Sequence, residues 1–345
     1  MSDTHSAPAA GPAAGSDAPD GAAVAEPATA ATPAPKAVSA GDVVLAIDIG
    51  GTKLDVGLMT LQGELIDRDR VAVDDHLGAD ALFGTLNDII QSQLARAREH
   101  HHMRVMAVGV GSAGPIAPDV ETISPINMHA WRGFPLRERL SVATTLPVFG
   151  DLDAKALALA EGWLGAAQGK QNFLAMVVST GISGGIVLNG QLMDGAGGNA
   201  GQIGHIIVEP NGHRCQCGAR GCLEAEASGL AIESITGRGH HEPTYEIMQR
   251  TGRLVGRAAA SVCNVLDLDL VVVGGSVALS FGATFFNSAQ ETLDEHAKLS
   301  FARGARITPV RLADRGPLIG AGAVAVRGIH RARARSRARA AAADA

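Results

Sequence analysis

Cys215, Cys217 and Cys222 fall within eight residues and could turn three thiolates on one metal ion. Gly218 and Gly221 lie between the last two and let the backbone reverse, so that three thiolates can aim at one point. A soft cation suits such a loop, and zinc takes four nitrogen or sulfur ligands in a tetrahedron when the protein supplies them all. A fourth ligand is then needed, and His205 and His213 are the candidates. His213 stands only two residues before Cys215, which leaves little chain to close a tetrahedron. His205 stands ten residues upstream, in the strand-like run Ile203–Val208, with chain enough to reach over the loop. Ligation would also fix its tautomer, since the other ring nitrogen is held by a second partner. Four cysteines in 345 residues do not make a disulfide scaffold, and Cys263, in the apolar helical stretch Val255–Leu266, reads as a buried small hydrophobe.

A second chemistry is written in glycine. Asp48-Ile49-Gly50-Gly51-Thr52-Lys53 closes one apolar run, Ser179-Thr180-Gly181-Ile182-Ser183-Gly184-Gly185 closes a second, and Gly274-Gly275-Ser276 closes a third. Glycine lets backbone N–H groups approach phosphate oxygens without a side-chain clash. Thr52 and Ser183 add hydroxyls, and Asp48 could hold Mg²⁺, directly or through water. One such turn alone could be a plain hairpin; the pairing of the first with the second strengthens the phosphate reading. None is a Walker loop, because no G-x-x-x-x-G-K-[ST] occurs.

The Gly-His pair ten residues before Cys-x-Cys-Gly-x-x-Gly-Cys-Leu-Glu resembles the signature of the ROK family of sugar kinases and sugar-responsive repressors, and the likeness runs across residues 43–327. It implies an α/β, two-lobed actin-like (ribonuclease H-like) ATPase fold with a zinc-binding loop in the second lobe. In that family the matching His and three Cys bind zinc, which favours His205 over His213. Gly50, Gly51, Thr52 and Lys53 match its first phosphate loop, Thr180, Gly181 and Gly184 its second, and Gly274 and Gly275 its adenosine-binding element. The implied activity is ATP-dependent, glucokinase-like phosphorylation of a hexose hydroxyl, with Mg²⁺ accompanying ATP.

Phosphorylating a hydroxyl needs the acceptor in line and its proton accepted, in the kinase template by a carboxylate. Gly150-Asp151-Leu152-Asp153-Ala154-Lys155-Ala156 is similar to the family's N-D-A-N-A-A stretch, whose Asp is the catalytic base. The distance to the matching Glu161 sets that Asp at Asp153 rather than Asp151. An Asp at a helix start is also a common N-cap. The resemblance further implies sugar contacts from His205, Glu224, Asn127 and Gln202, the last standing where the family has Glu. Trp131 reads equally as a sugar cover or a packing residue. Three departures stand out. Leu152 replaces an Asn that binds a sugar hydroxyl, Lys155 replaces a small residue or Asn, and Ser183 replaces a Gly.

These residues need a frame to position them. The run 43–49 followed by Leu54–Met59 and Glu64–Val73 predicts an antiparallel meander, because the connections are short. A helix follows over Ala81–Glu99, with Leu82, Leu86, Ile89, Ile90 and Leu94 on one face. Val105–Val110 and Leu146–Phe149 suit buried strands joined by crossovers, and a helix runs from the Asp153 segment to about Trp163. A second cycle has strands at Phe173–Val178, Ile186–Leu188, Ile203–Val208 and Leu268–Val273. Strand, glycine turn and strand thus recur, a weak internal duplication of two α/β lobes with the site in the cleft between them.

The expected organisation is an Ala/Pro-rich disordered tail over 1–40, a first lobe over 41–150 completed by a helix over 316–328, a second lobe over 151–315, and a basic disordered tail over 329–345. Hydrophobic residues make up 46% and charged ones 19%, so a sizeable core can form. A net charge of −6 argues against nucleic acid as the main partner, and the Arg/Ala run reads as solvated. No stretch reaches the roughly 18 apolar residues that span a membrane, so the expected compartment is the cytoplasm. The expected partners are a hexose and ATP, or polyphosphate in ATP's place, and dimers are common among similar kinases. The competing reading is a catalytically weak or inactive sugar-binding or regulatory protein. The repressor branch carries a winged helix-turn-helix, for which residues 1–40 are too short and too rich in Ala and Pro.

Overall fold

A strand whose residues are apolar on both faces must be covered on both, and the first strand of the chain meets that condition. In the computed structural model, which describes residues 41–343 apart from 75 and 127, β1 (Asp42–Ile49) is buried along its whole length. β2 (Lys53–Thr60) and β3 (Leu65–Ala72) fold back from it antiparallel, as the short connections require. β4 (Arg104–Ser112) pairs parallel with β1 on its other side, and β5 (Val148–Leu152) pairs parallel with β4. The sheet order is β3-β2-β1-β4-β5. The crossovers carry α1 (Ala79–Glu99) and α2 (Leu136–Thr144); α1 buries Leu82, Leu86 and Ile90, one helical face, in the same core as the sheet.

The second sheet repeats the plan. α3 (Asp153–Leu164) leads out of β5 into β6 (Phe173–Val178), which pairs antiparallel with β7 (Ile182–Leu188). β8 (Gln191–Leu192) extends the hairpin. Three helices follow, α4 (Leu223–Ala227), α5 (Gly229–Thr236) and α6 (Tyr245–Leu266). β9 (Leu270–Gly274) then pairs parallel with β6, α7 (Ser276–His296) crosses over, and β10 (Arg306–Pro309) pairs parallel with β9. The order β10-β9-β6-β7-β8 is that of the first sheet, element for element. The duplication expected from the glycine turns is therefore one of topology.

The last helix, α8 (Gly316–Ala343), packs on β1 and β4 of the first sheet, and α3 packs on β6 and β7 of the second. The two helices also pack on each other. The contact of α8 with the sheet is close: a Cβ added at Gly109 of β4 would lie 2.0 Å from the Ala321 carbonyl oxygen.

Three sequence expectations need correction. The second glycine turn is shorter than expected, and β7 starts at Ile182 and takes in Gly184 and Gly185. Those glycines belong to the strand because α3 lies against it; a Cβ at Gly185 would sit 2.5 Å from the Ala154 oxygen. Ile203–Val208 is no strand of the second sheet. Ile203–His205 is a single 3-10 turn, and the chain beyond it touches the cysteine loop through the bridge Ile207–Cys222. The turn forms because Gly201, at φ 98°, reverses the backbone just before it. Finally, the basic run after residue 328 continues α8 as helix to Ala343 instead of leaving it as a disordered tail. Alanine and arginine are both strong helix formers, and the run extends a helix already nucleated on the sheet. Residues 1–40, expected to be disordered, lie outside the described residues, as do 344 and 345.

Candidate active site

The C-terminal ends of β1, β6 and β9 open into one cleft of about 530 Å³. In open α/β sheets ligands bind outside the carboxyl ends of the strands, where the strand order reverses. From the first lobe the cleft takes Asp48, Gly50, Gly51, Thr52 and Lys53; from the second it takes Thr180, Gly181, Gly274 and Gly275. Gly275 cannot be another residue: its φ is 99° and a Cβ would meet the Val178 oxygen at 2.3 Å. Gly184 is the exception among the sequence candidates. It does not line the cleft, and its N–H donates to the Gly201 oxygen at 2.8 Å.

Three carboxylates converge here. Asp153, the first residue of α3, is partly buried, and its Oδ1 accepts the Ala154 N–H at 2.6 Å and the Ser183 hydroxyl at 3.0 Å. Burial raises its pKa, opposed by those two hydrogen bonds. Asp48, near the end of β1, is 5% exposed. Burial first, and then the charges of Asp153 and Asp55, raise its pKa to about 7. Glu224, in the first turn of α4, accepts the Ile182 N–H, while burial and the Asp153 charge raise its pKa to about 7. Ionised acids crowded in this way call for a cation or for hydroxyl donors. Gln202 and His205 line the cleft beside Glu224, so the expected sugar-facing residues are brought together. Asn127 lies outside the described residues.

Two expectations about the sugar pocket change. Leu152 does not line the cleft; it is 1% exposed and packs in the first-lobe core beneath Gly114, where a Cβ would be 2.5 Å from its Cδ2. Trp131 takes the packing role. It is fully buried, stacks on Phe134 at 4.8 Å between centroids and donates its indole N–H to the Ala79 oxygen.

His205, Cys215, Cys217 and Cys222 place one ligand atom each within 4.8 Å of one another. Cys217 Sγ lies 3.8 Å from Cys222 Sγ, and Cys215 Sγ lies 3.7 Å from His205 Nδ1. A disulfide would bring the sulfurs to about 2.05 Å, whereas the edges of a zinc tetrahedron with sulfur and nitrogen ligands measure roughly 3.5–3.8 Å. Burial pushes the Cys222 thiol up to about 12, so a thiolate there needs a cation beside it. Burial also lowers the His205 pKa and keeps the ring in its ligating neutral form. Gly221 shapes the loop at φ 71°, with the Glu209 oxygen 1.6 Å from where a Cβ would stand. His213 faces elsewhere, its Nδ1 3.1 Å from both oxygens of the buried Glu226. The donor set and its spacing fit zinc.

Sequence reasoning missed two features of the site. Lys155 is 1% exposed, and its Nζ sits 2.7 Å from Asp151 and 3.1 Å from Asp194 while donating to the Gly198 oxygen. Arg327 and Arg331 of α8 reach Asp194 as well, at 3.6 and 3.7 Å. His240 and His241, with ring centroids 3.9 Å apart, line the cleft as well. Asp151 and Lys155 stand four apart in sequence, but Asp194 and Arg327, which complete the charge network, lie tens of residues away.

The ROK family model matches residues 44–327. A glucokinase of Halalkalibacterium halodurans is 30% identical over 309 residues, which cover 80% of this chain and 92% of that one. An N-acetylmannosamine kinase of Yersinia pestis is 35% identical over 257 residues, covering 69% and 84%. The crystal structure of a ROK family glucokinase from Streptomyces griseus, in complex with glucose and AMPPNP, matches with a TM-score of 0.70 at 26% identity and covers 83% of this chain and 99% of that one. With the duplicated sheets, the shared cleft and the His/Cys cluster, these likenesses show that the chain belongs to the ROK family and has its actin-like ATPase fold.

Proposed function

We propose that this protein transfers the terminal phosphoryl group of ATP to a hydroxyl of a hexose, with Asp153 as general base. The observation that carries the reading is the meeting, in one cleft, of the Asp153 carboxylate with the glycine turns after β1, β6 and β9. Backbone N–H groups and the Thr52 and Thr180 hydroxyls suit a phosphate chain, and Lys53 adds a positive charge at the same edge. Gln202, His205 and Glu224 line the same cleft, Glu224 against the turn after β6, and suit a polyhydroxyl acceptor. Asp153 then takes the acceptor's proton as its oxygen attacks phosphorus.

Asp48 is the residue suited to magnesium, because a buried carboxylate held near neutrality gains from a cation. Bound Mg²⁺ would neutralise charge developing on the phosphate oxygens. Zinc would be structural. Ligation through His205 Nδ1, the atom near Cys215, would leave Nε2 for the sugar side of the ring. Unpaired thiols kept for a metal suit a reducing compartment, which supports the cytoplasm.

A sugar-binding protein without turnover is the second reading, favoured by Gln202 in place of a charged ligand. A coupled assay over hexoses and N-acetylhexosamines, with ATP and with polyphosphate as donor, separates the two. Turnover that Asp153→Asn reduces by about 100-fold or more supports the kinase. A wild type inert toward every sugar, while still binding one, supports the alternative.

A further inference from the structure

Ser183 stands third from the start of the turn-to-strand segment Gly181–Gly185, in β7, and lines the cleft. Its hydroxyl donates to Asp153 Oδ1 at 3.0 Å. The other donor to that oxygen is the Ala154 N–H at 2.6 Å, which belongs to the next residue and moves with Asp153. Ser183 comes from a different element, so its bond ties the carboxylate to the second lobe's sheet. The charged groups that face Asp153 from the neighbouring elements are Asp48 of β1 and Glu224 of α4, both acids. Ionised, neither can donate to it, and each would push it away. A neutral donor is what such a carboxylate needs to stay in one orientation.

We propose that Ser183 is a positioning residue for phosphoryl transfer: by holding Oδ1 of Asp153 it leaves Oδ2 to meet the acceptor hydroxyl. The inference rests on the kinase reading of this site. In the step, the acceptor oxygen forms its bond to the terminal phosphorus while its proton passes to Asp153 Oδ2. The bond from phosphorus to the bridging oxygen breaks, and its electron pair leaves with the diphosphate. The Ser183 proton stays on Oγ throughout. A loosely held carboxylate would spend less time in that geometry, which lowers the rate of the step and leaves sugar binding unchanged.

Steady-state kinetics of Ser183→Ala and Ser183→Thr, in the full chain and on a sugar the wild type phosphorylates, test this. Loss of one hydrogen bond to the ionised Asp153 carboxylate predicts a kcat lowered about 10-fold or more in Ser183→Ala, with the sugar KM within about 2-fold of wild type. Ser183→Thr keeps the hydroxyl on a strand-compatible residue and should recover most of kcat. A Ser183→Ala protein with unchanged kcat, a loss carried by KM alone, or a Thr variant as slow as the Ala variant overturns the proposal. A wild type that phosphorylates no sugar overturns the kinase reading and this inference with it.

Discussion

Asp48, Asp153 and Glu224 share one cleft, and burial pushes all three toward the neutral form. Asp48 shows what this means for stability. Its folded pKa of about 7 lies above the ordinary 3.8, so the neutral form is the one the fold favours. Its contribution is fully present below about pH 4 and is lost as pH rises through about 7, on the order of a few kcal/mol in all. Without magnesium or nucleotide, Asp48→Asn should therefore melt higher than wild type at pH 8 and close to it at about pH 4. Thermal melts at the two pH values check this, and an equal difference at both would contradict it. Residue identity alone revealed the acids but not their state. Asp153 was placed by its likeness to a family motif, whereas its bond to Ser183 joins positions 30 apart in sequence and needed the fold to appear. Leu152 makes the same point: a missing sugar ligand on paper, it is a core residue in space.

At the scale of elements, the His/Cys loop and the glycine turns were legible because local spacing encodes them. Gly218 and Gly221 both have positive φ, which is what a tight thiolate-bearing loop demands. The strands around them were legible for a related reason, since apolar runs between turn residues leave few alternatives. The failures lie where long-range packing decides. The 3-10 turn Ile203–His205 has strand-like composition but is bent by its neighbours, and the basic run after residue 328 is helical because α8 already stands on the sheet. If zinc holds His205 toward the cleft, losing one thiolate should loosen sugar binding as well as the loop. Cys217, the exposed member of the cluster, is the ligand to change. Wild type should carry about one zinc per chain, and Cys217→Ser should lose it and show a raised sugar KM. Elemental analysis and kinetics on the same preparations report both effects. A variant that keeps the metal, or a metal-free one with unchanged KM, would contradict this role.

Across the whole molecule, two sheets of the same strand order face one cleft, and α3 packed on α8 joins them. Further ties cross the junction. Asn199 bonds both the N–H and the carbonyl oxygen of Ile116, and the pair Asp151–Lys155 meets Asp194 and Arg327. Lys155 stood out in sequence only as a departure from the family's pattern, because Asp194 and Arg327, which complete its charge network, lie outside that motif. The duplicated plan explains why Asp153 and the glycine turns meet. Each lobe sends its glycine turn to the same side, and α3 begins where the first sheet ends, with Asp153 at its head. The central claim is that Asp153 takes the acceptor's proton. It is tested most directly by following sugar phosphate formation from ATP in wild type and Asp153→Asn, with sugar and nucleotide binding measured alongside. The account predicts kcat lowered by about 100-fold or more with both ligands still bound. Full turnover in Asp153→Asn would contradict it.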